Sequence, residues 1–397
     1  MNTTEEKYAF NLTLFKTIGY YQMIDPNSKK IFGFNVYNVI NITLVIFTSI
    51  MTVIGLSGFL YKSDNITSEE NSFKDIQMLF YLSCIVLGNL KIAITAYNAD
   101  AIWELLNVAH ESFLSNKYCK QDKYKLYNCG KRFARIFPWY FFMFIMTAVA
   151  WSVVPIVVNN HAATQNNEHI YMTNIANLRY PITVKAYNTF YKGFYALEFI
   201  MVWYSAYGLV VFDLFIVALL QLLATHYEII SSTYENFKYK AENKDGKLRK
   251  EEIQKELVSI IVDCQTIYKK LETLYGISRP IVLVYMVGDA IGMITMPFLI
   301  VMSYMQNGSS IFNTNVMAFS WTLFVVGIQS YMYCSLLQNV NERKEDVNFG
   351  LYGCDWTLLD IEIKKLILLA MRINSSNNLK MKVTSTKLID LPMFASV

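Results

Sequence analysis

Charge is scarce in this sequence. Lys, Arg, Asp and Glu together make up 17% of its 397 residues, where an ordinary soluble domain carries about a quarter. Apolar side chains make up 54%, which leaves too little polar surface to cover a water-soluble globule. The net charge of +4 is too small to mark a nucleic-acid partner or an acidic tail. A Gly-rich phosphate loop, a nucleophile elbow and a metal-spaced His or Cys set are all missing, and His110, His161, His169 and His226 are scattered. These absences argue against catalysis, a bound metal and a cofactor. Residues 1 to 30 hold Glu5, Glu6, Lys7, Lys16, Asp25, Lys29 and Lys30, with no apolar core and no small-residue cleavage site, so the first apolar segment is expected to act as the insertion signal itself.

What the chain has in abundance is long apolar runs. A hydrocarbon core about 30 Å thick needs roughly 20 apolar residues in a helix. Six stretches qualify: 37–61, 76–96, 137–158, 197–223, 280–305 and 314–337. A seventh apolar segment begins at Leu391 and the sequence ends at Val397, so six complete spans are expected, with the next only begun. The pattern predicts an all-α, polytopic membrane protein.

Direction follows from Lys and Arg, which are retained on the cytosolic side. With the N-terminus inside, every basic residue falls in a cytosolic segment except Lys62, Lys74, Lys91, Arg179, Lys185 and Lys192, and Lys91 sits at the inner end of span two. The opposite orientation would place nearly all of them outside. Cys84 and Cys334 then fall within spans, and Cys119, Cys129, Cys264 and Cys354 fall in cytosolic segments, so no disulfide is expected. Of the Asn-x-Ser/Thr triplets only Asn65 and Asn307 would face outward.

The cytosolic segments are not simple tethers. Span four continues into the helix-compatible stretch 223–239, free of Gly and Pro. After a turn-like Asn243 to Gly246, apolar residues recur at Ile253, Leu257, Ile260, Cys264, Ile267, Leu271 and Leu274, the spacing of a helix that packs on partner helices. This seam could close against the same chain or against another subunit. Gly276 and Pro280 are expected to end or kink the helix before span five. After span six, Leu359, Ile363, Leu366, Ile367 and Ala370 share one face of an amphipathic helix too charged to span, with Lys364, Lys365 and Arg372 away from it. The resulting organisation is a cytosolic segment (1–36), spans one to four (37–223), cytosolic helices (224–279), spans five and six (280–337), a second cytosolic segment (338–390) and the start of a last helix (391–397).

Asp213 in span four and Asp289 in span five sit near the bilayer midplane, where a carboxylate costs roughly 2.5–3.5 kcal/mol on insertion scales and therefore faces protein or water. Either a water-filled gating region or pairing with hydroxyls and backbone within the chain would satisfy them. Glu198, nearer the outer boundary, is expected to be solvated.

The C-terminal third resembles the insect odorant receptor family. The resemblance rests on Tyr333-Cys334 ending span six, Leu351-Tyr352, Trp356, the run Lys364-Lys365-Leu366-Ile367-Leu368-Leu369 with Met371-Arg372, and Leu391-Pro392-Met393-Phe394. Near the other end, Leu14-Phe15-Lys16-Thr17-Ile18-Gly19-Tyr20 is similar to that family's segment before the first span. The chain departs from the pattern near Asp263 and Cys264, where the family often has His, and at Ile373-Asn374-Ser375-Ser376, which replace Ala-Gln-Lys/Arg-Pro. It also lacks the long insertion before span five that marks the family's co-receptor, so it looks like an odorant-specific subunit.

The resemblance implies a seven-helix topology with a cytosolic N-terminus, and a non-selective cation channel in the plasma membrane of a sensory dendrite. It further implies a heterotetramer with the co-receptor, joined through cytosolic anchor helices, and a pore lined by helix seven. Pro392 to Val397 are too few to line that pore, so the pore helix is expected to be only begun here. Leu257, Ile260, Cys264, Ile267, Leu271, Leu359, Ile363 and Leu366 are the expected subunit-interface residues. The family places its pocket for a volatile hydrophobic ligand among spans two, three, four and six, which points to Met78 and Tyr81; Ala148, Trp151 and Ser152; Phe199, Met201 and Trp203; and Met317, Trp321 and Phe324. Aromatic residues make up 15% of the chain, and helix packing or lipid contact is the ordinary role of most of them.

Other classes fit less well. A G-protein-coupled receptor needs an outside N-terminus, and neither Asp-Arg-Tyr after span three nor Asn-Pro-x-x-Tyr near the end occurs. A transporter would commonly show inverted repeats; Gly288, Gly292 and Pro297 permit a break in span five, but no second half matches it. A gustatory-receptor-like channel is the nearest alternative, distinguished by a motif in helix seven.

Overall fold

Backbone N–H and C=O groups find no partners in hydrocarbon, so long charge-free stretches must close their hydrogen bonds internally as helices. The computed structural model of the chain describes residues 12–60, 68–116, 119–164, 172–237, 246–306, 314–354, 356–376, 379–384 and 387–395. The glycosylation triplets at Asn65 and Asn307 and the turn positions 243–245 lie outside the described residues. In chain order the helices are α1 (Thr13–Thr17), α2 (Tyr20–Ile24), α3 (Val36–Leu60), α4 (Ser68–Tyr97), α5 (Ala99–Leu105), α6 (Lys123–Thr164) and α7 (Val184–Thr189). They continue as α8 (Tyr191–Glu235), α9 (Gly246–Gln306), α10 (Thr314–Gly353), α11 (Ile361–Ser376) and α12 (Leu391–Ala395). Among the described residues α3, α4, α6, α8, α9 and α10 are long and apolar enough to cross a membrane. The protein is an all-α, multi-pass membrane protein.

Position in the bundle follows from how far apolarity extends around each helix. The most apolar stretch of α8 is 83% buried by its neighbours, against 28% for those of α3, α6 and α9. A helix that is apolar all round belongs in the centre, and α8 packs on α4, α6, α9 and α10. The outer helices keep one face for lipid.

Small residues set the closest approach. A Cβ added to Gly88 of α4 would stand 2.7 Å from the Ser205 carbonyl oxygen of α8, and one on Gly208 would stand 2.8 Å from the Gly88 carbonyl oxygen. The two backbones touch there, as small-residue interfaces in membrane helices allow.

Beyond the apolar part of the bundle, the C-terminal end of α8, the N-terminal part of α9, the C-terminal end of α10 and helix α11 form a stem. Ser231 Oγ of α8 donates to the Asp346 carbonyl of α10 at 2.9 Å. Lys250 Nζ of α9 lies 2.9 Å from Asp360 Oδ2 and 2.9 Å from Glu362 Oε2 at the start of α11.

Helix α9 runs 61 residues without interruption, with Pro280 and Pro297 inside it, so of the end or kink expected at Gly276 and Pro280 the end does not occur. A helical proline loses its bond to the carbonyl four residues back and crowds that turn. For Pro280 that residue is Gly276, which has no Cβ, and packing against α8 and α10 overrides the remaining local preference.

The N-terminal segment is built into the core. Phe15 of α1 lies with ring centroids 5.7 Å from Phe137 and 5.8 Å from Phe215, and Tyr20 of α2 lies 5.4 Å from Phe215. Two short strands, β1 (Lys30–Ile31) and β2 (Phe34–Asn35), lead into α3. They join through Phe32 and Gly33 at φ 51° and 85°, the positive pair a tight two-residue hairpin turn requires.

Widening the α4–α8 contact should damage the whole fold. Gly88→Val and Gly208→Val are each expected to cost about 1–3 kcal/mol by overpacking, read as a lower midpoint in a thermal scan of the detergent-extracted chain; an unchanged midpoint would show that the contact is slack.

Candidate functional site

A buried polar knot crosses the middle of the bundle. Lys91 of α4 and Asp213 of α8 are both fully buried, with Nζ 2.6 Å from Oδ1. Tyr333 of α10 donates to Asp213 Oδ1 at 2.6 Å, Tyr140 of α6 donates to Oδ2 at 3.4 Å, and Gln329 of α10 also donates to Oδ2. Lys91 Nζ lies 5.0 Å from the Tyr285 ring centroid of α9, close enough for a cation–π contact. Lys91 therefore does not reach for the membrane boundary; it turns inward to a partner. Asp289 of α9 accepts a hydrogen bond from Ser330 of α10. Both acidic residues are thus met by groups of the same chain.

In the half of the bundle away from the stem lies an aromatic and Met cluster. Tyr81 and Trp151 meet edge to face at 4.5 Å, and Trp151 lies 5.2 Å from Phe319. Met78 and Met201 are fully buried in the same cluster. Trp151 Nε1 donates to Thr322 Oγ1 at 3.0 Å, and Trp203 Nε1 donates to Ser152 Oγ at 3.1 Å. Ser152 and Ala148 are buried, the Ser152 hydroxyl donating to the Ala148 carbonyl at 2.8 Å. Among the described residues the buried Tyr81 hydroxyl meets no hydrogen-bond acceptor.

Other candidates stand apart from this cluster. Met317 is 58% exposed, Phe324 54% and Phe199 38%. Trp321 sits at the margin, its Nε1 donating to Thr147 Oγ1 at 3.0 Å. The inward face of α10 is instead Ala318, Phe319, Thr322, Val325, Gln329, Ser330 and Tyr333. The signal for it was a polar stripe: Thr322, Gln329, Ser330 and Tyr333 return on one helical face, and polar groups in a membrane helix turn away from lipid. Met51 of α3 and Met296 and Leu299 of α9 also enter the cluster, from spans outside the four the resemblance suggested.

Residues 172–183, ahead of α7, fold down over this half. Ile175, Ala176 and Leu178 are at most 1% exposed and pack into the cluster. Glu198, expected to be solvated, is fully buried: its carboxylate accepts the Ala176 N–H at 2.7 Å and the Tyr180 hydroxyl at 3.2 Å. Arg179 pairs with Asp75. A buried carboxylate satisfied by backbone donors fixes the loop against α8.

In the stem, Leu257, Ile260, Ile267 and Leu271 are fully buried and Cys264 is 7% exposed, within the chain's own core. Ile363 is 2% exposed, while Leu359 and Leu366 are half-buried against that core. The 4-3 seam is closed inside the chain. Asp263, where the family pattern often has His, accepts from Ser115 N at 2.9 Å and Asn116 N at 2.9 Å and so anchors the loop before α6. Among the described residues, no group of three or more His, Cys, Asp and Glu could hold a metal ion.

Three comparisons with known proteins agree with this architecture. The family described as 7tm odorant receptor matches residues 73–397. Odorant receptor 67a of Drosophila melanogaster is 24% identical over 416 residues, covering 98% of this chain and 93% of that protein. The insect olfactory receptor OR5 from Machilis hrabei shares the fold. In complex with eugenol it superposes with a TM-score of 0.70 at 13% identity, covering 97% of this chain and 94% of that one. The structure described without eugenol gives 0.71 at 12% identity with the same coverage.

Removing the Glu198 carboxylate should release the loop, because each buried donor left without an acceptor costs about 1–3 kcal/mol. Ile175→Cys alone is expected to resist a polar maleimide on the detergent-extracted chain, and Ile175→Cys with Glu198→Ala to label readily at that site by mass spectrometry. Equal labelling of the two would show that the carboxylate does not hold the loop.

Proposed function

The chain belongs to the 7tm odorant receptor family, and from that premise we propose that it is the odorant-binding subunit of a ligand-gated, non-selective cation channel shared with co-receptor subunits. The family is one of receptors rather than enzymes. The observation that carries the reading is the aromatic cluster around Tyr81, Trp151 and Phe319, set among α4, α6, α8 and α10 beneath a loop tied down by Glu198. Flat apolar walls and Met side chains suit a hydrophobic volatile molecule, and a small number of polar groups would orient it.

Those polar groups narrow the ligand class. The indole N–H groups of Trp151 and Trp203 already have acceptors, whereas the buried Tyr81 hydroxyl has none among the described residues. An apolar volatile carrying one acceptor oxygen, such as an ester, ketone or ether, would give it one. Met78, Met201, Ala148 and Ser152 then belong to the wall, and Met317, Phe324 and Phe199 are assigned to lipid contact or the rim.

The positive-inside pattern supports a cytosolic N-terminus and a cytosolic stem, and membership of the family supports a place in the plasma membrane of a sensory dendrite. Because the 4-3 seam is spent within the chain, contact with the co-receptor is assigned to what the stem leaves exposed: Val258 and Val262 of α9, Phe349 and Tyr352 of α10, and Leu368 and Leu369 of α11. Helix α12 packs on α10, with Phe394 5.8 Å from Tyr331, and is read as the start of the pore helix.

Expression with and without an insect co-receptor, under voltage clamp with a panel of volatile esters, ketones and matched hydrocarbons, tests the reading. The co-expressed chain should give a non-selective cation current to some members of the panel, and Trp151→Ala should abolish or re-tune it while surface delivery persists. Tyr81→Phe should raise the half-maximal concentration of acceptor-bearing agonists about five- to tenfold, the worth of one hydrogen bond of about 1 kcal/mol. No current despite surface delivery would overturn the channel reading, and unchanged dose–response curves would remove Trp151 and Tyr81 from the site. An N-terminal epitope reached by antibody without permeabilisation would overturn the orientation.

A further inference from the structure

The stem holds a cavity, remote from the aromatic cluster. Its volume is about 240 Å³, and it opens where α8, α9, α10 and α11 meet, lined by Tyr227, Cys264, Lys269, Glu272, Lys344 and Asn374 among others. An engineered cavity of about 150 Å³ already accommodates benzene, so there is room for a small ligand. Tyr227 and Val347 are 1% exposed and form its floor, while Lys269 and Glu272 are exposed at its rim.

The chemistry of the lining is donor-rich. Among the described residues the buried Tyr227 hydroxyl has no hydrogen-bond partner, an arrangement that ordinarily costs about 1–3 kcal/mol unless something supplies an acceptor. Lys269 and Lys344 bring two ammonium groups from different helices, and Lys344 Nζ also donates to the Leu379 carbonyl at 2.9 Å. Asn374 presents an amide whose oxygen lies 4.0 Å from Cys264 Sγ. Among the described lining residues Glu272 is the one carboxylate, against two cations.

We infer that this stem cavity is a binding site for a phosphate-bearing anion, held by Lys269 of α9, Lys344 of α10 and Asn374 of α11 above the Tyr227 hydroxyl. Phosphate oxygens accept several charge-assisted hydrogen bonds at once, which neither lysine alone could exploit. Tyr227 lies four residues past the apolar end of span four, Lys344 seven past that of span six and Glu272 eight before that of span five, roughly 6–12 Å beyond the hydrocarbon at 1.5 Å per residue. The phosphate could therefore arrive free in solution or on a lipid headgroup. Occupancy would tie α11 to α9 and α10, and so bear on the segment that leads to α12. The binding itself does not depend on the odorant reading.

The test uses the purified full-length chain. In detergent, inorganic phosphate and inositol trisphosphate at matched ionic strength should raise the thermal midpoint in a saturable way. In nanodiscs, the same comparison sets phosphatidylcholine alone against phosphatidylcholine with phosphatidylinositol 4,5-bisphosphate. Lys344→Met and the exposed-rim variant Lys269→Gln should each weaken the apparent affinity about tenfold or more, and Glu272→Gln should strengthen it. A shift with the soluble phosphates identifies a free ligand, and one confined to the phosphorylated lipid identifies a headgroup. No saturable shift with any probe, or equal shifts in wild type and both lysine variants, overturns the site.

Discussion

The bundle is organised around one ion pair, Lys91 with Asp213. Two charges at zero exposure in the middle of an apolar bundle have no water to turn to, and the desolvation of each costs several kcal/mol unless geometry and further hydrogen bonds compensate. Compensation comes from every side: Tyr140 from α6, Tyr333 and Gln329 from α10, and the face of the Tyr285 ring from α9. Satisfying this knot requires α4, α6, α8, α9 and α10 to present particular residues inward at one level. A helix rotated by a single residue would leave a buried charge or hydroxyl unmet, so the knot sets the rotation of each helix more strictly than apolar packing, which tolerates exchange of like for like.

Once those rotations are set, the residues two and three turns further along the same faces are determined. Tyr333 and Gln329 face inward on α10, so Thr322 and Phe319 do as well, and Trp151 of α6 finds both its hydrogen-bond acceptor and an aromatic neighbour there. Continuing the other way, α8 and α10 carry the inward face into the stem, where Gly350 lets the Ser231 backbone approach. The proposed odorant cluster and the stem cavity thus lie at opposite ends of the same two rigid helices.

Much of this was legible in the sequence, and the parts that were not share a cause. Span positions follow from charge-free length, and the extension of α8 past the membrane follows from the absence of Gly and Pro through 223–235. Partnership across the chain does not: Lys91 and Asp213 are separated by 122 positions, and without its partner Lys91 reads as a residue at a membrane boundary. Met317, Trp321 and Phe324 are large and adaptable, the qualities a ligand wall and a lipid-facing surface have in common, while the polar residues of α10 mark the inward side. Pro280 does not end the helix because a proline's effect depends on the carbonyl it faces, here that of a glycine in a helix packed on two sides. The 4-3 seam of α9 was correct as a buried stripe, but periodicity does not say whether the covering surface belongs to the same chain.

The most direct measurement is the thermal midpoint of the extracted chain for Asp213→Asn, Lys91→Met and the double variant. Breaking a buried pair by removing one partner costs about 3–5 kcal/mol, whereas replacing both can be neutral. If the ion pair governs the fold, Asp213→Asn lowers the midpoint sharply by stranding the Lys91 ammonium, and adding Lys91→Met restores most of the loss. A single variant as stable as wild type, or a double variant no better than Asp213→Asn alone, would contradict it.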